Sequence, residues 1–589
     1  MSMLAVVLFS AICLITAYYT YGPLLVRLLR LDPNADTPAT TMRDDVDYVP
    51  IESKFLLSQH FSAIAAAGPI VGPILAGVTF GWVPALIWIL VGSIFIGGVH
   101  DFTALVASIR HKARSIAEVV RDHMSGRSYI LFLSFVWMAL IYIIVAFTDV
   151  TASSFLGDQK LENGQTVLGG AIATSSLLYL IIPIIMGLVL RYKLMTVNWA
   201  TIVFLPLVGV AIWGGKFIPF DVAQVFGMSP VGAQRVWNIS LLVYCLIASV
   251  LPMWLLLQPR GHLGGYFLYV VLAAGGLGII FGGKTIEYDA FRGFDVPDAK
   301  GVPQPLVPLL FITIACGACS GFHSIIASGT TSKQLRKETD ARLVGYGAML
   351  MEAMVAIISL CCVMMLKPSD PLINGGNPQP NFLYAMGIGN FMGLIGVPPE
   401  FAVSFGLMAF TTFVYDTLDV CTRLGRYIIQ ELTGLSGSVG KWLGTILTAG
   451  VPLIFLLGQP VTDGKPVAIW KIYWNLFGAS NQLLAALTLL GVTVWLWRTY
   501  RAAWVIPVVG VPCVLMYTMS MWALVRMIWP PVSKVIAAAP AAATQTVVPV
   551  PVVASVLAIL GVLILVEAVI AVLGPLPKPP NDDRRLVTA

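Results

Sequence analysis

Long apolar runs recur from one end of the sequence to the other, and they constrain the fold more than any other feature. An apolar stretch of roughly 20 residues is long enough to cross a bilayer as a helix. Only 11% of the 589 residues are charged, against about 25% in an average soluble domain. We therefore predict an all-α polytopic membrane protein with about fifteen transmembrane helices, because helices satisfy their own backbone hydrogen bonds in lipid. The predicted spans are 3–28, 56–80, 82–108, 129–150, 169–190, 195–214, 236–257, 264–283, 306–329, 344–366, 399–421, 442–459, 466–495, 503–526 and 550–573.

The basic residues indicate how the chain is oriented. If the N-terminus lies outside, most of the 35 Lys and Arg residues fall in inner loops or at inner helix ends. Basic residues favour the cytoplasmic face, so we predict an N-out, C-in arrangement. Arg260 belongs to this inner set, in the short loop before the span 264–283. Residues 3–28 form too long an apolar run for the core of a signal peptide and are expected to remain as the first helix.

One span-length segment, 58–80, carries Gly68-Pro69 and Gly72-Pro73 at its centre. Proline removes a backbone donor and pushes the preceding residue away from helical geometry, so we expect the helix to be interrupted at membrane depth. Broken helices in lipid survive only inside protein or beside a polar cavity, and many secondary transporters bind substrate there. The alternative is a kinked helix whose small residues allow close packing.

Several separated stretches carry a recognisable signature. They are DPNADTPAT and DYVP in the loop 31–50, QHFSAIAAAGPIVGPILAG, GWVPALIWILVGSIFIGGVHDF, ACGACSGFHSIIASGTTSKQL (315–335), DTLDVCTRLGRYIIQEL (416–432) and WNLFGASNQLLAALTLL (474–490). Together they resemble the carbon starvation protein A family of bacterial and archaeal inner-membrane nutrient transporters. The resemblance implies peptide uptake during carbon starvation, pyruvate uptake in some members, and a core of two inverted five-helix repeats.

The order of the spans agrees with an inverted repeat. The second broken-looking span, 306–329, comes an odd number of spans after 56–80, so the two should cross the membrane in opposite directions. The predicted parts are an N-terminal helix (1–28), a cytoplasmic loop (29–55), a first five-helix repeat (56–214), two inserted helices with loops (215–305), a second five-helix repeat (306–495), and two C-terminal helices with a cytoplasmic tail (496–589).

Ionisable and hydroxyl side chains inside spans are candidates for ion coupling, because charges are costly there. The candidates are Asp101, Thr330, Thr331, Asp416 and Asp419. Asp416 and Asp419 share one helical stripe with Arg423 and Arg426. Asp419 precedes Arg423 by four residues, the favourable spacing for an ion pair, so we expect Asp419 to be mainly structural and Asp416 to be freer to exchange a proton or cation. The alternative for the whole group is a polar inner helix end.

Candidates for substrate binding lie at the two broken spans and on the span 466–495. They are His60, Ala67, Gly68, Gly72, Ser320, Gly321, His323, Ser328, Asn475 and Asn481. A histidine near a break could donate to a carboxylate or relay protons, although a core histidine bonded to backbone is the alternative. Asn475 and Asn481 are expected on one polar face, which helix–helix packing explains equally well. Glu352 is expected to pair with an inner basic residue.

No catalytic or nucleotide-binding motif is found, so the sequence predicts a transporter driven by an ion gradient rather than an enzyme. We expect no cofactor and no metal site, coupling to H⁺ or Na⁺, a small-molecule substrate, and residence in a prokaryotic inner membrane. The basic residues are scattered, which argues against a nucleic-acid partner, and the oligomeric state stays open. A channel is the alternative from another class, although one chain of many spans argues against it. A membrane-embedded enzyme is a more distant alternative.

Overall fold

The computed structural model describes residues 2–574 except 45–47, 162–163, 299–300, 375–378, 436, 459–460, 463–464 and 538–548. The predicted tail beyond residue 574 lies outside the described residues. The helices are α1 Met3–Leu28, α2 Pro38–Thr41, α3 Ser53–Ile64, α4 Gly68–Phe80, α5 Trp82–Gly92, α6 Gly98–Arg110, α7 Ile116–His123, α8 Gly126–Ser153, α9 Gly169–Arg191, α10 Val197–Gly215, α11 Val222–Phe226, α12 Pro230–Val250, α13 Leu257–Gly282, α14 Leu306–Thr313, α15 Gly321–Ile326, α16 Ala348–Met364, α17 Pro371–Asn374, α18 Pro380–Leu394, α19 Pro399–Thr433, α20 Gly437–Leu457, α21 Ile469–Tyr500, α22 Val511–Ala537 and α23 Pro549–Leu573.

Other regular elements are short. π-Helical turns at Ser93–Gly97, Ala327–Thr331, Arg342–Gly347 and Ile506–Gly510, and a 3₁₀ turn at Glu338–Asp340, adjoin these helices. Loops carry the antiparallel strand pairs β1 Gln159–Lys160 with β2 Thr166–Val167, β3 Asp295–Pro297 with β4 Pro303–Pro305, and β5 Val461–Thr462 with β6 Lys465–Pro466.

The described part of the chain contains thirteen helices long and apolar enough to cross a membrane, or fourteen if the bent pair α3–α4 is one span. This confirms the predicted all-α polytopic membrane fold. The count differs from about fifteen because the predicted span 306–329 is divided between the short helices α14 and α15. Short helices in the predicted loops were not expected, and the longest of them is α18, between the predicted spans 344–366 and 399–421.

The first break lies at Ala65–Ala67, between α3 and α4, which are bent by 48°. An interruption of this span is therefore confirmed, but its position is earlier than the two Gly-Pro pairs suggested. Gly68-Pro69 begins α4, where proline is tolerated because first-turn amides lack helical partners. The prediction that Gly72-Pro73 also interrupts the helix is wrong, because Pro73 lies inside α4.

The second break covers residues 314–320, which separate α14 from α15. It precedes the stretch 320–331 proposed from the sequence, which instead forms α15 and a π-helical turn. The two broken segments cross in the centre of the bundle: α14 packs against α4, and α15 packs against α3. Since the first half of one contacts the second half of the other, the segments run antiparallel, as the odd span separation predicted.

Close approach at this crossing depends on glycines. A Cβ on Gly72 would lie 2.5 Å from the Thr313 carbonyl oxygen, and one on Gly68 would overlap the Cys316 side chain. Helices α13, α16, α19 and α21 pack on the broken segments, α22 also contacts α14, and α8 packs against α19 and α21. The centre of the bundle is therefore built from two interrupted segments enclosed by continuous helices.

Candidate functional site

Two buried amide side chains of α21 form hydrogen bonds with the residues of the second break. Asn481 accepts a hydrogen bond from the Phe322 backbone N–H at 2.9 Å, and its Nδ2 donates to Ser320 Oγ at 3.0 Å. Gln482 Nε2 donates to the carbonyls of Ile314 (3.4 Å) and Cys319 (3.2 Å). Because unpaired backbone groups are costly in lipid, these contacts explain why amides occur within an otherwise apolar helix. Asn481 and Ser320, both predicted as substrate ligands, are thus engaged in holding the break.

A cluster of buried imidazoles and carboxylates joins α6, α15 and α16. It consists of His100, Asp101, His323 and Glu352, which we call the imidazole–carboxylate cluster; all four are fully buried. Asp101 bridges the two histidines, with Oδ1 2.8 Å from His100 Nδ1 and Oδ2 2.8 Å from His323 Nδ1. The structure therefore brings together Asp101 and His323, which were singled out separately in the sequence. His100 was missed, although its position beside Asp101 was a signal.

Glu352 completes this cluster in a way the sequence did not indicate. Its Oε2 lies 3.3 Å from His323 Nε2, without the geometry of a hydrogen bond. The expected pairing with an inner Lys or Arg is wrong, because the segments after the second break bring the imidazole of His323 against α16. A carboxylate held in a dry interior without a cationic guanidinium or ammonium can remain there only if protons compensate its charge.

A second cluster surrounds Arg260 at the start of α13. The guanidinium Nε lies 2.5 Å from Asp416 Oδ1, and Nη2 lies 2.5 Å from Asp419 Oδ2. Tyr244 contributes its hydroxyl, which donates to Asp419 Oδ2 at 3.0 Å and accepts from Arg260 Nη1. Ser62 of α3 donates to Asp416 Oδ2. We call these residues, Arg260, Asp416, Asp419, Tyr244 and Ser62, the arginine–aspartate cluster.

This cluster corrects two expectations. Arg260 was counted as a loop charge, but it is fully buried within the bundle. Arg423 does not hold Asp419: its Nη2 donates to the carbonyls of Ala248 (2.8 Å) and Leu251 (2.7 Å). The spacing rule for ion pairs applies to exposed helix surfaces, whereas here α13 supplies a closer base. One signal could have identified Arg260. It is a basic residue in a predicted loop of only a few residues, while Asp416 and Asp419 lay in a predicted span and needed a basic partner.

His60 lies between the two clusters. Its Nδ1 is 2.9 Å from Thr331 Oγ1, so it links α3 to the π-helical turn after α15. Beside it is a cavity of about 20 Å³, enough for one water. His60, Thr330, Thr331, Gly261 and Asp416 are among the residues that line this small cavity. Three predicted ion-coupling residues and one predicted substrate ligand therefore line one small cavity.

The remaining candidates have other surroundings. Ala67, Gly68 and Gly72 lie in the crossing of the broken segments, and Gly321 packs against the backbone of α21. Asn475 is exposed on α21 and joins no cluster. Six residues separate it from Asn481, and at 3.6 residues per turn this spacing turns the two side chains to different faces.

Ser328 lines a larger cavity of about 710 Å³ between α7, α8, α15 and α19. Its hydroxyl accepts from the Ile116 backbone N–H at 3.2 Å. Charged residues line the same cavity: Arg114, Glu118, Arg121, Lys333 and Glu431. This cavity lies at the end of the bundle that carries Tyr48 of the loop 29–55 and opens beside the second broken segment.

These features define a class of protein: a polytopic helical membrane protein with two broken segments and buried ionisable clusters at their crossing. The profile of the family described as carbon starvation protein CstA matches residues 2–375 and 371–523. The chain belongs to the carbon starvation protein CstA family.

Curated relatives agree with this assignment. The peptide transporter CstA of Helicobacter pylori (strain ATCC 700392 / 26695) is 32% identical over 544 residues, which cover 81% of this chain and 74% of the relative. The peptide transporter CstA of Bacillus subtilis (strain 168) is 31% identical, with 84% and 85% covered. The pyruvate/proton symporter BtsT of Escherichia coli (strain K12) is 30% identical, with 89% and 81% covered. Relatives from bacteria and the many apolar helices make this a multi-pass bacterial membrane protein.

Two solved structures are similar to this chain at low sequence identity. A manganese transporter of Eremococcus coleocola, in complex with an aromatic bis-isothiourea substituted compound, is 13% identical with a TM-score of 0.43, covering 90% of this chain and 99% of its own. MhsT in complex with L-phenylalanine is 12% identical with a TM-score of 0.43, covering 88% and 98%.

Proposed function

We propose that this protein is a secondary active transporter that imports small nutrients, peptides or small carboxylates such as pyruvate, in symport with protons. One observation carries the proposal: two clusters of buried ionisable side chains flank the crossing of the broken segments, and His60 lies between them. Ionisable groups at membrane depth are expensive and mark ion or substrate pathways. The named activities of the bacterial relatives agree with it.

Protons rather than Na⁺ are the coupling ion we propose. The first cluster is built from imidazoles and carboxylates, which gain and lose protons, with His–Asp pairs at 2.8 Å, and the second holds two carboxylates on one arginine. The hydroxyls expected to bind a cation have other partners: Thr331 Oγ1 contacts His60, and Thr330 donates to the Ile326 carbonyl at 3.1 Å. The E. coli relative is named a pyruvate/proton symporter.

The moving parts in this proposal are the two broken segments. Each cluster contains residues from a broken segment and from the helices around it: Ser62 reaches Asp416 of α19, and His323 reaches Asp101 of α6. A change of protonation would therefore alter contacts that hold a broken segment to the surrounding scaffold. The larger cavity beside Ser328 provides the route between the centre and the end that carries the loop 29–55.

The test is uptake into proteoliposomes that contain the purified chain. Pyruvate and a panel of dipeptides are offered under an inward proton gradient, under an inward Na⁺ gradient at equal pH, and under neither. We expect saturable accumulation above equilibrium only with the proton gradient, abolished by a protonophore. Accumulation driven by Na⁺ alone would overturn the choice of ion. Flux that does not saturate and never exceeds equilibrium would indicate a channel and overturn the transporter proposal.

A further inference from the structure

The arginine–aspartate cluster holds more negative than positive charge. Arg260 faces two carboxylates at 2.5 Å each, and all three residues are buried. Removing one ion from water costs several kcal/mol even after relaxation, so the excess negative charge favours the uptake of a proton or of another positive group. Oδ1 of Asp419 is buried and has no hydrogen-bond partner among the described residues. The cluster is therefore suited to exchanging charge rather than to holding a fixed ion pair.

The two aspartates differ in access. Asp416 lines the small cavity together with His60 and Gly261, whereas Asp419 does not. Asp419 is held by Arg260 Nη2 and by Tyr244 on the side away from that cavity. A proton that arrives through the small cavity reaches Asp416 first.

Glycines of α13 allow this helix to approach Asp416 and the small cavity closely. A Cβ on Gly264 would overlap Asp416 Oδ2 and Ser62 Oγ, so only glycine allows α13 to approach the carboxylate at this level. Gly261, one residue after Arg260, lines the small cavity itself. Asp416 lines the small cavity and also contacts the guanidinium Nε, so its carboxylate lies between Arg260 and this cavity.

Resting on the proposed function, we propose that Arg260 anchors the carboxylate of the substrate, and that protonation of Asp416 releases the guanidinium edge that binds it. A guanidinium N–H donates a charge-assisted hydrogen bond to a carboxylate, and Nε is the donor that Asp416 occupies. Protonated Asp416 no longer competes for Nε, while Asp419 and Tyr244 keep the other side of Arg260 in place. The ligand class is a small molecule with a free carboxylate, either a monocarboxylate or the C-terminus of a peptide.

The charge balance gives the stoichiometry. The cluster has one cation and two anions before binding, a net charge of −1. Adding one proton and one monocarboxylate leaves the net charge unchanged, so the buried site never carries a larger charge during loading. Transport of a monocarboxylate with one proton is therefore electroneutral, and transport of a zwitterionic dipeptide moves one positive charge.

Other ionisable groups face this site from every packed element. Tyr179 of α9 donates to the Arg260 carbonyl at 3.4 Å, and Tyr415 of α19 supplies a carbonyl to Nη2 at 3.1 Å. Cys245 of α12 and Arg423 lie near Asp419, and His60 faces Asp416 across the small cavity. His60 is the group that can pass a proton to Asp416, since the two line the same space.

The first test uses the wild-type protein. Counterflow of labelled substrate in proteoliposomes is measured against pairs of competitors that differ only in the carboxylate: pyruvate against pyruvamide, and a dipeptide against its C-terminal amide. We expect each amide to compete at least about tenfold more weakly, because an amide cannot form the charge-assisted hydrogen bond that a carboxylate forms with Arg260. Equal competition by acid and amide would overturn the inference.

The second test uses Arg260→Lys with Arg498→Lys as the matched control, because Arg498 donates to a backbone carbonyl, that of His123, outside both clusters. We expect Arg260→Lys to reduce counterflow at least about tenfold and to abolish the difference between acid and amide. Arg498→Lys should keep both. If Arg260→Lys does not fold, judged by size-exclusion chromatography in detergent, the competitor series decides alone.

The outcomes separate this inference from the proposed function. Wild-type accumulation with normal acid–amide discrimination in Arg260→Lys would leave the symporter standing and overturn the anchor. Absence of accumulation of any panel member by the wild type would overturn both. Membrane-potential dependence of pyruvate uptake would overturn the electroneutral stoichiometry.

Discussion

Asn481 and Asn475 belong to the same helix, and their surroundings differ completely. Asn481 is buried and holds Phe322 and Ser320 at the second break, whereas Asn475 is exposed. We predict that Asn481→Ala lowers the free energy of unfolding by about 1–3 kcal/mol, because it leaves buried polar groups unpaired. Asn475→Ala should change it by less than about 0.5 kcal/mol.

Thermal unfolding of both variants in the same detergent provides the measurement. Equal melting temperatures for the two variants would show that the Asn481 contacts do not support the break. The comparison is controlled within one helix, because residue type, substitution and element are identical.

The acids at membrane depth could be recognised from the sequence, but their partners could not. Asp101, Asp416 and Asp419 were found because a charge within an apolar span is unusual. Arg260 was assigned to a loop, since a window of hydrophobicity cannot tell a short loop from the buried start of α13. Its pairing with Asp416 spans 156 positions of the chain. Contacts of this kind depend on tertiary packing and leave no local pattern.

At the scale of elements, the crossing of α4 and α14 depends on Gly72. A Cβ at Gly72 would lie 2.5 Å from the Thr313 carbonyl oxygen and 3.2 Å from Ile314 Cα, both backbone atoms that cannot rotate away. We predict that Gly72→Ala separates the two broken segments, costs about 1–3 kcal/mol of stability and strongly reduces counterflow. Gly276→Ala on α13 is the control, because its Cβ would meet no atom within 4 Å.

Melting temperature and counterflow are measured for both variants. Full activity of Gly72→Ala with a normal melting temperature would contradict the account of this crossing.

The docking of α7 provides a pH-dependent test. His123 Nε2 lies 2.8 Å from His111 Nε2, and the Arg498 guanidinium donates to the His123 carbonyl at 2.7 Å. Burial, with the nearby His111 and Arg498, lowers the pKa of His123 from 6.5 to about 3. Between these values the unfolded chain takes up a proton that the folded protein excludes, so stability is complete above about pH 6.5 and falls as pH decreases.

We predict that His123→Gln, which retains an N–H donor but does not titrate, has a shallower loss of melting temperature between about pH 7.5 and about pH 5 than the wild type. Melting curves across this range provide the measurement. Parallel pH dependence in the two proteins would show that His123 does not contribute.

The approximate location of the first break could be predicted, but not its register. Two Gly-Pro pairs indicated an interruption within 58–80, and the structure has one at Ala65–Ala67. A proline is compatible with the first turn of a helix, so it marks a start as readily as a break. Whether a Gly-Pro pair begins a helix or interrupts one depends on the segment that packs beside it.

The packing of the helices suggests a change in the proposed division into two five-helix halves. Within the first half, α10 packs mainly on α9, whereas α13 packs along α3 and α19. In the second half, α21 packs along α14, α15 and α8. We propose that α13, rather than α10, is the counterpart of α21. Hydrophobicity alone could not distinguish these helices, because both are apolar and long enough to span.

For the whole molecule, contacts of residues 49 and 51, which precede α3, hold several segments together at one end of the bundle. Val49 and Ile51 donate backbone hydrogen bonds to Lys333 and Gln334 at 3.2 and 3.1 Å. Arg110 Nε lies 2.9 Å from Glu338 Oε1 at the same end. These contacts bring together three segments that the charge distribution had placed on one membrane face. They also tie the entry of the first broken segment to the exit of the second.

Coupling of proton uptake to substrate transport involves the whole molecule, and Asp416 is the residue proposed to carry it. It contacts Arg260, Ser62 and the small cavity, so its protonation links α3, α13 and α19. Asparagine at this position imitates the protonated carboxyl and removes the need for a proton. Glu567→Gln is the matched control, because Glu567 of α23 accepts from Ser125 at 2.7 Å, outside both clusters.

The decisive measurement pairs gradient-driven accumulation with counterflow exchange in proteoliposomes for wild type, Asp416→Asn and Glu567→Gln. We predict that Asp416→Asn exchanges substrate but never accumulates it above equilibrium at any imposed proton gradient, while the wild type and Glu567→Gln do both. Accumulation by Asp416→Asn equal to that of the wild type at every gradient would contradict the account, and the carboxylate would then be only a structural partner of Arg260.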